Sequence, residues 1–517
     1  MFKKILNWFY SFDKYKLDVK KFDILLVIII CILCIGFTDR TFQNDTFYSI
    51  PIGRDILKYG VDMIDHYSIH NIAYTYPHWL FDVIVYLLYS LGGFKILYIF
   101  SIFMYIIIGL LLYFLSVNLF KNRFVSSLFT ISTIICLSCF ITIRAQIFSY
   151  ILFILELFFI EKFLATSNKK YLITFPFISL FIVNMHCAVW IFFFILFLPY
   201  IFEYLFGIFN VKNLKIFNYF FNRKIDVVIN HDVKYLICIM LLCIITGFIT
   251  LNGFTPFTYL FKTIKGGSIN WISEHQAPKL FHCPNLLFYL YLLIFVFVFI
   301  RQKIKLSDFF LCFGLLILAF FSFRHISLLL ICSCFSLTRY ISNYFGNNYG
   351  SLSNIFIKFL SVKFYYVFVI AIIFSSLVFY FCNIYKHKFV DVSQYPVSAS
   401  NYIIKNLDYQ NIRIFNDYDY GSYLLFRGIP VFIDSRADLY TPQFNGLNRD
   451  ITKDYLEVVL NYEEVFDYYD ITHVIVYKCN SKISCNGLYY LLYSNEQYDV
   501  IYEDKYFAFF ERDIINE

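Results

Sequence analysis

The chain has 517 residues, of which 60% are hydrophobic and only 15% are charged. This composition excludes a soluble globular protein, because repeated apolar runs are long enough to cross a hydrocarbon core of about 30 Å. The net charge of +7 is unevenly distributed, since residues 386–517 hold 12 basic and 20 acidic side chains. We therefore predict a polytopic α-helical membrane protein with an acidic, water-exposed C-terminal domain, and no nucleic-acid partner.

The amino-terminal segment, residues 1–21, carries six lysines directly before the apolar run 22–38. Positive charge next to a first span favours the cytosol, so this end is predicted to lie inside. The run ends at Asp39-Arg40 without a small-residue cleavage site, which favours a retained anchor over a signal peptide. Residues 39–79 then form a first outer loop within a membrane domain that covers residues 22–385.

Residues 80–91 are too short to span comfortably and precede Gly92-Gly93, so they are predicted to form a helix at the outer interface. A full span there would place the basic loops 121–123 and 162–170 outside, against the charge rule. With the first span, the count is eleven, and the other ten are predicted at 94–120, 124–142, 147–163, 171–184, 188–206, 235–251, 285–300, 307–323, 326–342 and 364–385. Because the N-terminus is predicted inside and the number of spans is odd, residues 386–517 are predicted on the extracytoplasmic side of the cell membrane.

The C-terminal segment alternates helix and strand patterns over about 120 residues, which predicts a small α/β domain. The helices are predicted at 395–407 and 419–426, and the strands at 413–416, 430–434, 473–478, 498–504 and 506–512. The last two strands are expected to pair antiparallel. No Gly-rich phosphate fingerprint opens any of these helices, so a nucleotide site is not expected.

Cys479 and Cys485 are five residues apart in a polar, turn-rich stretch of this domain. A disulfide between them would fit an extracytoplasmic location. Two free thiols, or a metal site that also uses His473, are the alternatives.

The first outer loop holds four aspartates within 21 residues, Asp45, Asp55, Asp62 and Asp65. Each could be a solvated loop residue, and Asp45 could also cap the helix that follows. A general base is the functional alternative, for which Asp45 comes soonest after the membrane and Asp65 is the second candidate.

Arg144 and Gln146 lie in a short break between two apolar runs, and Arg324 repeats this arrangement. Such an arginine either snorkels to lipid headgroups or binds a phosphate in a bidentate contact. With basic loops held inside, every such break falls on the outer face, which predicts one polar site. The further substrate-binding candidates in these breaks are Asn184, His186, Glu274, His275 and His325.

A divalent metal bound by Asp45, His186, Glu274 and His275 is conceivable, but no two of them have ligand spacing on one helix. We therefore expect no metal and no other cofactor.

The order of these motifs resembles the GT-C class of integral-membrane glycosyltransferases, and within it bacterial proteins similar to dolichyl-phosphate-mannose mannosyltransferases. The motifs are NDTFYSIPIGRDIL (44–57), DHYS (65–68), HWLFDV (78–83), RAQIFSYIL (144–152), NMH (184–186), SEHQAP (273–278), FRHISL (323–328) and DYGSYLLFRGIPVFIDSRADLY (419–440). Ala145 stands where such proteins tend to have proline, and His78 or His275 where tryptophan or another residue is commoner.

The resemblance implies a polyprenyl-phosphate-linked sugar donor and a catalytic aspartate in the first outer loop, which corresponds to Asp45. The hypothesis is an inverting glycosyltransferase that modifies a cell-surface glycan, lipid or protein at the outer face. A transporter or flippase for lipid-linked glycans should show internal repeats and charged or broken residues at mid-span, and we expect neither here. A non-catalytic assembly partner is the third possibility.

Overall fold

A computed structural model describes residues 19–209, 225–267, 271–279, 285–347, 370, 374–381, 388–478 and 487–513. Cys479, Cys485 and most of the predicted span 364–385 lie outside these residues. The N-terminal lysines, apart from Lys20 and Lys21, lie outside them as well.

The first half of the chain is helical, and its helices end near the predicted boundaries. The helices are α1 (Val19–Phe37), α2 (Asn44–Tyr59), α3 (Trp79–Phe120), α4 (Arg123–Leu137), α5 (Gln146–Thr166), α6 (Thr174–Met185) and α7 (Trp190–Ile208). Helix α2 begins within the predicted outer loop, and Gln43 rather than Asp45 is its N-cap residue. The suggested capping role of Asp45 is therefore wrong, because Asp45 lies inside the first helical turn.

Helix α3 is broken where two glycines interrupt its apolar sequence. Gly92 and Gly93 both leave helical geometry, and Gly93 has a φ of 64°, in the region that favours glycine. The break separates 79–91 from 94–120, as the sequence predicts. Whether the first piece lies at the membrane interface stays a prediction.

The second helical group begins after strand β1 (Ile225–Asp226), which pairs parallel with β2 (Ile304–Lys305), a two-residue strand between the third and fourth helices of the group. Its helices are α8 (Val233–Cys243), α9 (Thr255–Gly266), α10 (Asn285–Arg301), α11 (Leu306–Phe321) and α12 (Ile326–Asn347). Buried apolar side chains of α8 and α10 to α12 form one core with α1 and α3 to α7.

Four helices of the described chain are long and apolar enough to cross a membrane, namely Trp79–Phe120, Arg123–Phe140, Cys187–Ile208 and Phe323–Tyr344. Shorter apolar helices cover Phe22–Phe37, Val233–Phe248, Tyr291–Arg301 and Leu306–Phe321. These helices are typical of a membrane protein. The count of eleven spans, and the side on which each end lies, stay predictions.

Two polar features lie among the apolar helices. Glu156, in the middle of α5, is fully buried, and neither carboxylate oxygen has a hydrogen-bond partner among the described residues. Arg339 on α12 forms ion pairs with Glu161 and Asp308 near the helix ends. The expectation of no charged residue at mid-span was therefore wrong at Glu156.

The C-terminal unit, residues 388–478 and 487–513, contains a four-stranded sheet of order β3-β4-β6-β5. Its strands are β3 (Ile414–Phe415), β4 (His473–Tyr477), β5 (Tyr498–Glu503) and β6 (Phe507–Arg512), and its helices are α13 (Val397–Asn406), α14 (Tyr418–Phe426), α15 (Pro442–Asn445), α16 (Ile451–Tyr468) and α17 (Gly487–Tyr493). Strands β3 and β4 are parallel, and β6 is antiparallel to both β4 and β5.

Two features of the C-terminal unit differ from the prediction. The segment 430–434, predicted as a strand, makes one isolated bridge from Val431 to Ser68 and does not join the sheet. Helices α15, α16 and α17 were not predicted either.

The outer loop is built into the C-terminal unit. Val431 N–H donates to the Tyr67 carbonyl at 3.1 Å, and Ile69 N–H donates to the Val431 carbonyl at 2.9 Å. Apolar side chains of α2, the loop and the C-terminal unit share a second core, which includes Phe47 and Phe432. This packing fixes the C-terminal unit over the end of the helical bundle at which the polar breaks meet.

Candidate functional site

A cavity of about 320 Å³ lies between the helix ends and the C-terminal unit. The structure brings eight of the ten sequence-predicted site residues to its wall: Asp45, Arg144, Gln146, His186, Glu274, His275, Arg324 and His325. They come from segments that are separated by up to 280 positions in the chain. Six of them lie at or next to the end of a helix, and Glu274 and His275 lie in the connection between α9 and α10.

Arg144 lies between two carboxylates of this cavity. Its Nη1 donates to both oxygens of Glu274, at 2.6 and 2.7 Å, and its Nε lies 2.8 Å from Asp45 Oδ2 in an ion pair. Burial raises the pKa of Glu274, but the charges of Arg144 and Arg324 lower it by more, so this pKa lies below its ordinary value. Arg144 Nη2 has no hydrogen-bond partner among the residues described.

Arg324 is surrounded mainly by neutral groups. In the amide orientation that satisfies both side chains, the oxygen of Gln146 accepts from Arg324 Nε at 2.7 Å and from its Nη2 at 3.2 Å. Arg324 Nη1 lies 3.2 Å from His275 Nε2, and Glu274 is 3.9 Å away. Burial and the charge of Arg324 lower the pKa of His275 to about 4, so His275 is neutral at pH 7. The charge of Arg324 is therefore less compensated than that of Arg144.

Two predicted residues from the break at 184–186 have different surroundings. His186 lines the cavity, and its Nδ1 lies 2.9 Å from Ser149 Oγ. Asn184 does not line it. The Asn184 side chain accepts from Trp79 Nε1 at 3.0 Å and donates to the carbonyls of Leu180 and Ile249. These bonds favour a structural role for Asn184.

Asp65, the second candidate base, is fully buried and does not line the cavity. Its Oδ1 accepts from Arg436 Nη1 at 2.5 Å, and its Oδ2 accepts from Ser68 N–H at 2.9 Å. Arg436 also donates to both oxygens of Asp434. Asp65 therefore connects the outer loop to the C-terminal motif, which leaves Asp45 as the cavity-facing aspartate of this loop.

The sequence analysis missed a hydrogen-bonded group of three residues, two of which line the cavity. His78 Nδ1 lies 2.9–3.0 Å from the oxygens of Asp82, one turn further along the chain, and His78 Nε2 lies 2.9 Å from the hydroxyl of Tyr48. His78 and Tyr48 line the cavity. The spacing His-x-x-x-Asp within the motif HWLFDV is the signal that would have found this pair.

The C-terminal unit closes the other side of the cavity. Tyr418 opens α14, and its carbonyl accepts from Asn44 Nδ2 at 2.8 Å, which holds α14 next to Asp45. Asp438 Oδ2 accepts from the hydroxyls of Tyr259 and Thr263 on α9, at 2.9 and 3.0 Å. The wall thus mixes aromatic faces with fixed polar groups, as small-molecule sites do.

A metal site of three or more His, Cys, Asp or Glu side chains is not formed among the described residues. Two carboxylates of the wall, Asp45 and Glu274, share the guanidinium of Arg144.

Comparisons with known proteins give a match of structure but not of sequence. No family model and no curated protein matches the chain. The oligosaccharyltransferase of Archaeoglobus fulgidus, tethered with an acceptor peptide containing the NVT sequon, matches with a TM-score of 0.56 at 11% identity, over 87% of this chain and 68% of that one. The same enzyme, AglB, in complex with an inhibitory peptide and a dolichol-phosphate matches with a TM-score of 0.55 at 10% identity, over 87% of this chain and 68% of that one. An apo form matches with a TM-score of 0.55 at 9% identity, over 87% and 69% of the two chains.

Identities this low establish similarity of fold alone. The chain therefore has the GT-C fold that its motifs predict.

Proposed function

We propose that this protein is an inverting membrane glycosyltransferase that transfers a sugar from a polyprenyl-phosphate donor to a hydroxyl or amide acceptor. The observation that carries the proposal is the cavity that Asp45 and the partly compensated Arg324 both line. A glycosyl transfer from a lipid phosphate needs these two functions, a proton acceptor and a stabiliser of the leaving anion.

Asp45 is the proton acceptor in this proposal. Its side chain is 21% exposed on the cavity wall, and the ion pair with Arg144 fixes the carboxylate while one oxygen remains available. The acceptor atom, a hydroxyl oxygen or an amide nitrogen, forms a bond to the anomeric carbon as Asp45 removes its proton. The bond from that carbon to the phosphate oxygen breaks, and its electron pair stays on the phosphate. A single displacement of this kind inverts the anomeric centre.

Arg324 binds the leaving phosphate in this proposal. Its contacts to Gln146 and His275 are to neutral groups, so its charge is available to an anion, and its planar guanidinium suits a phosphate. Arg144 Nη2 offers a second hydrogen-bond donor to this phosphate. AglB is described with a dolichol-phosphate, which supports a lipid-phosphate donor here.

The acceptor is a cell-surface glycan, lipid or protein in this proposal, at the extracytoplasmic face. The C-terminal unit, which supplies Tyr418 and Asp438 to the cavity, is placed to contact it. A protein acceptor is supported by the peptide described on the similar oligosaccharyltransferase.

The test uses the purified protein in lipid nanodiscs with polyprenyl-phosphate sugars radiolabelled in the sugar. Acceptors are drawn from the cell envelope of a strain lacking the gene. We expect label to move from the lipid to an envelope acceptor, and Asp45→Asn to lower the rate by at least about 100-fold, as expected for lost general-base catalysis. Asp55→Asn is the matched control, because Asp55 lies on the same helix and pairs with the exposed Arg54.

Retention of the parent rate by Asp45→Asn would remove Asp45 from the proposal. If, in a second assay with the protein reconstituted in closed vesicles, label crosses the membrane but stays on the lipid, the protein is a flippase instead. A complete absence of both activities, with intact protein, would favour the non-catalytic assembly partner.

A further inference from the structure

Asp82 is a fully buried carboxylate at the start of α3. Among the described residues, its side-chain oxygens have one hydrogen-bonding partner, His78 Nδ1, at 2.9 and 3.0 Å. A buried carboxylate without a cation is costly, so the pair favours the charged form of His78. Burial lowers the pKa of His78, but Asp82 raises it by more, so this pKa lies above its ordinary value.

The charged form fixes the direction of the next hydrogen bond. When both ring nitrogens of His78 carry protons, Nδ1 donates to Asp82 and Nε2 must donate to the Tyr48 oxygen, which lies 2.9 Å away. The proton of the Tyr48 hydroxyl is then free to point elsewhere. Tyr48 lines the cavity and is on the same helix as Asp45, one turn further along.

We propose that the Asp82–His78 pair makes the Tyr48 hydroxyl a fixed hydrogen-bond donor to a phosphate oxygen of the lipid donor. This inference rests on the proposed function and deepens it. Tyr48 touches the ligand, and His78 and Asp82 are positioning residues that act through it.

The contribution of Tyr48 is electrostatic, and no proton is transferred from it. As the bond between the anomeric carbon and the phosphate oxygen breaks, negative charge grows on the phosphate. A donor fixed before the reaction stabilises that charge without reorganisation. The acceptor proton goes to Asp45, so the two residues of α2 serve opposite ends of the displacement.

The experiment measures binding of farnesyl phosphate, a short polyprenyl phosphate, to the full-length protein in detergent by isothermal titration calorimetry. Farnesol serves as the ligand without a phosphate. We expect Tyr48→Phe to weaken farnesyl phosphate binding by about tenfold or more, as for a lost hydrogen bond to a charged group, and to leave farnesol binding unchanged. Tyr98→Phe is the matched control, because its buried hydroxyl has no hydrogen-bond partner among the described residues and does not line the cavity.

The pH dependence separates positioning from mere packing. The imidazolium of His78 is present below its pKa and is lost as the pH rises through it, so the contribution of Tyr48 falls at alkaline pH. Asp82→Asn removes the negative partner and should move this loss to lower pH by about one unit or more. The charged groups that act on His78 are Asp82 and Asp45, and His186 is the nearby titratable group.

His66→Gln is the control for variants of the Asp82–His78 pair. His66 and Asp62 are also four positions apart in the chain, but both are exposed. Equal affinity of Tyr48→Phe and parent for farnesyl phosphate would overturn the inference, and so would an unchanged pH dependence in a folded Asp82→Asn variant. If Asp82→Asn does not fold, Tyr48→Phe decides alone, because it removes only a hydroxyl. A parent protein that binds farnesol as well as farnesyl phosphate would instead contradict the proposed function.

Discussion

Arg436 is the centre of a buried ion cluster that holds the outer loop on the C-terminal unit. Its side chain is 4% exposed, and the carboxylates of Asp65 and Asp434 are fully buried. Arg436→Gln removes the only cation from two buried anions among the residues described. Breaking a buried pair from one side costs about 3–5 kcal/mol, because the remaining charge has no compensation. We therefore expect the melting temperature of this part of the protein to fall by roughly 10 °C.

The same variant has a defined pH dependence. In the parent, burial raises the pKa of Asp65, but Arg436 and the Ser68 bonds lower it by more, so the net pKa is below its unfolded value. The stabilisation from Asp65 is thus complete above the unfolded pKa of about 3.9, and it is lost as the pH falls through the folded pKa. Without Arg436, burial is the larger effect on Asp65, and it raises the pKa of this carboxyl above the unfolded value. The variant therefore gains stability as Asp65 binds a proton. The difference between parent and variant should shrink from pH 7.5 to pH 5.

The assay is thermal unfolding in detergent, followed by intrinsic tyrosine and tryptophan fluorescence at both pH values. Arg54→Gln is the control, because Arg54 is 53% exposed and its pair with Asp55 should contribute about 1 kcal/mol or less. A melting temperature of Arg436→Gln within 2 °C of that of Arg54→Gln at pH 7.5 would refute the reasoning. So would a difference that grows on acidification.

Two further predictions concern the site and the topology. Arg144→Lys should weaken binding of farnesyl phosphate by about tenfold in the same calorimetric assay, because one ammonium cannot contact Asp45, Glu274 and a phosphate in the geometry of a guanidinium; equal affinity would mean that Arg144 only anchors the interface. A cysteine introduced at the exposed position Lys405 should react with a membrane-impermeant maleimide in intact cells, whereas one at Lys169 should react only after permeabilisation, each measured above the parent background. The reverse pattern would contradict the predicted orientation.

The sequence predicted which residues form the site better than it predicted the ion pairs between them. Arg144, Glu274 and Arg324 were found because each interrupts an apolar pattern, and polar groups at helix ends of a membrane protein tend to face one another. The sharing of Arg144 between Asp45 and Glu274 has no signature in the sequence, since it depends on side-chain rotamers within a cavity. The two arginines therefore looked equivalent, although their surroundings in the structure differ.

Other differences follow from long-range contacts. Asp65 and Arg436 are 371 positions apart, and no local pattern connects them. The segment 430–434 contains a short β-favouring apolar run, but its neighbour is the outer loop and not the sheet, so it makes only one bridge. Glu156 was overlooked because one carboxyl in a long apolar run barely changes its hydropathy. The glycine pair at 92–93 was interpreted correctly, because its effect is local.

The unequal charge around the two arginines gives the proposed reaction a direction. Arg144 is compensated by Asp45 and Glu274, whereas the positive charge of Arg324 is compensated less, by Glu274 at 3.9 Å. An anionic lipid phosphate is therefore attracted to Arg324, and a neutral hydroxyl or amide can approach Asp45 without electrostatic cost. If both ligands bind in this way, the anomeric carbon lies between them, with the nucleophile and the leaving group on opposite sides. Inversion of the sugar then follows from the arrangement of four charged side chains, and it does not require any of them to move.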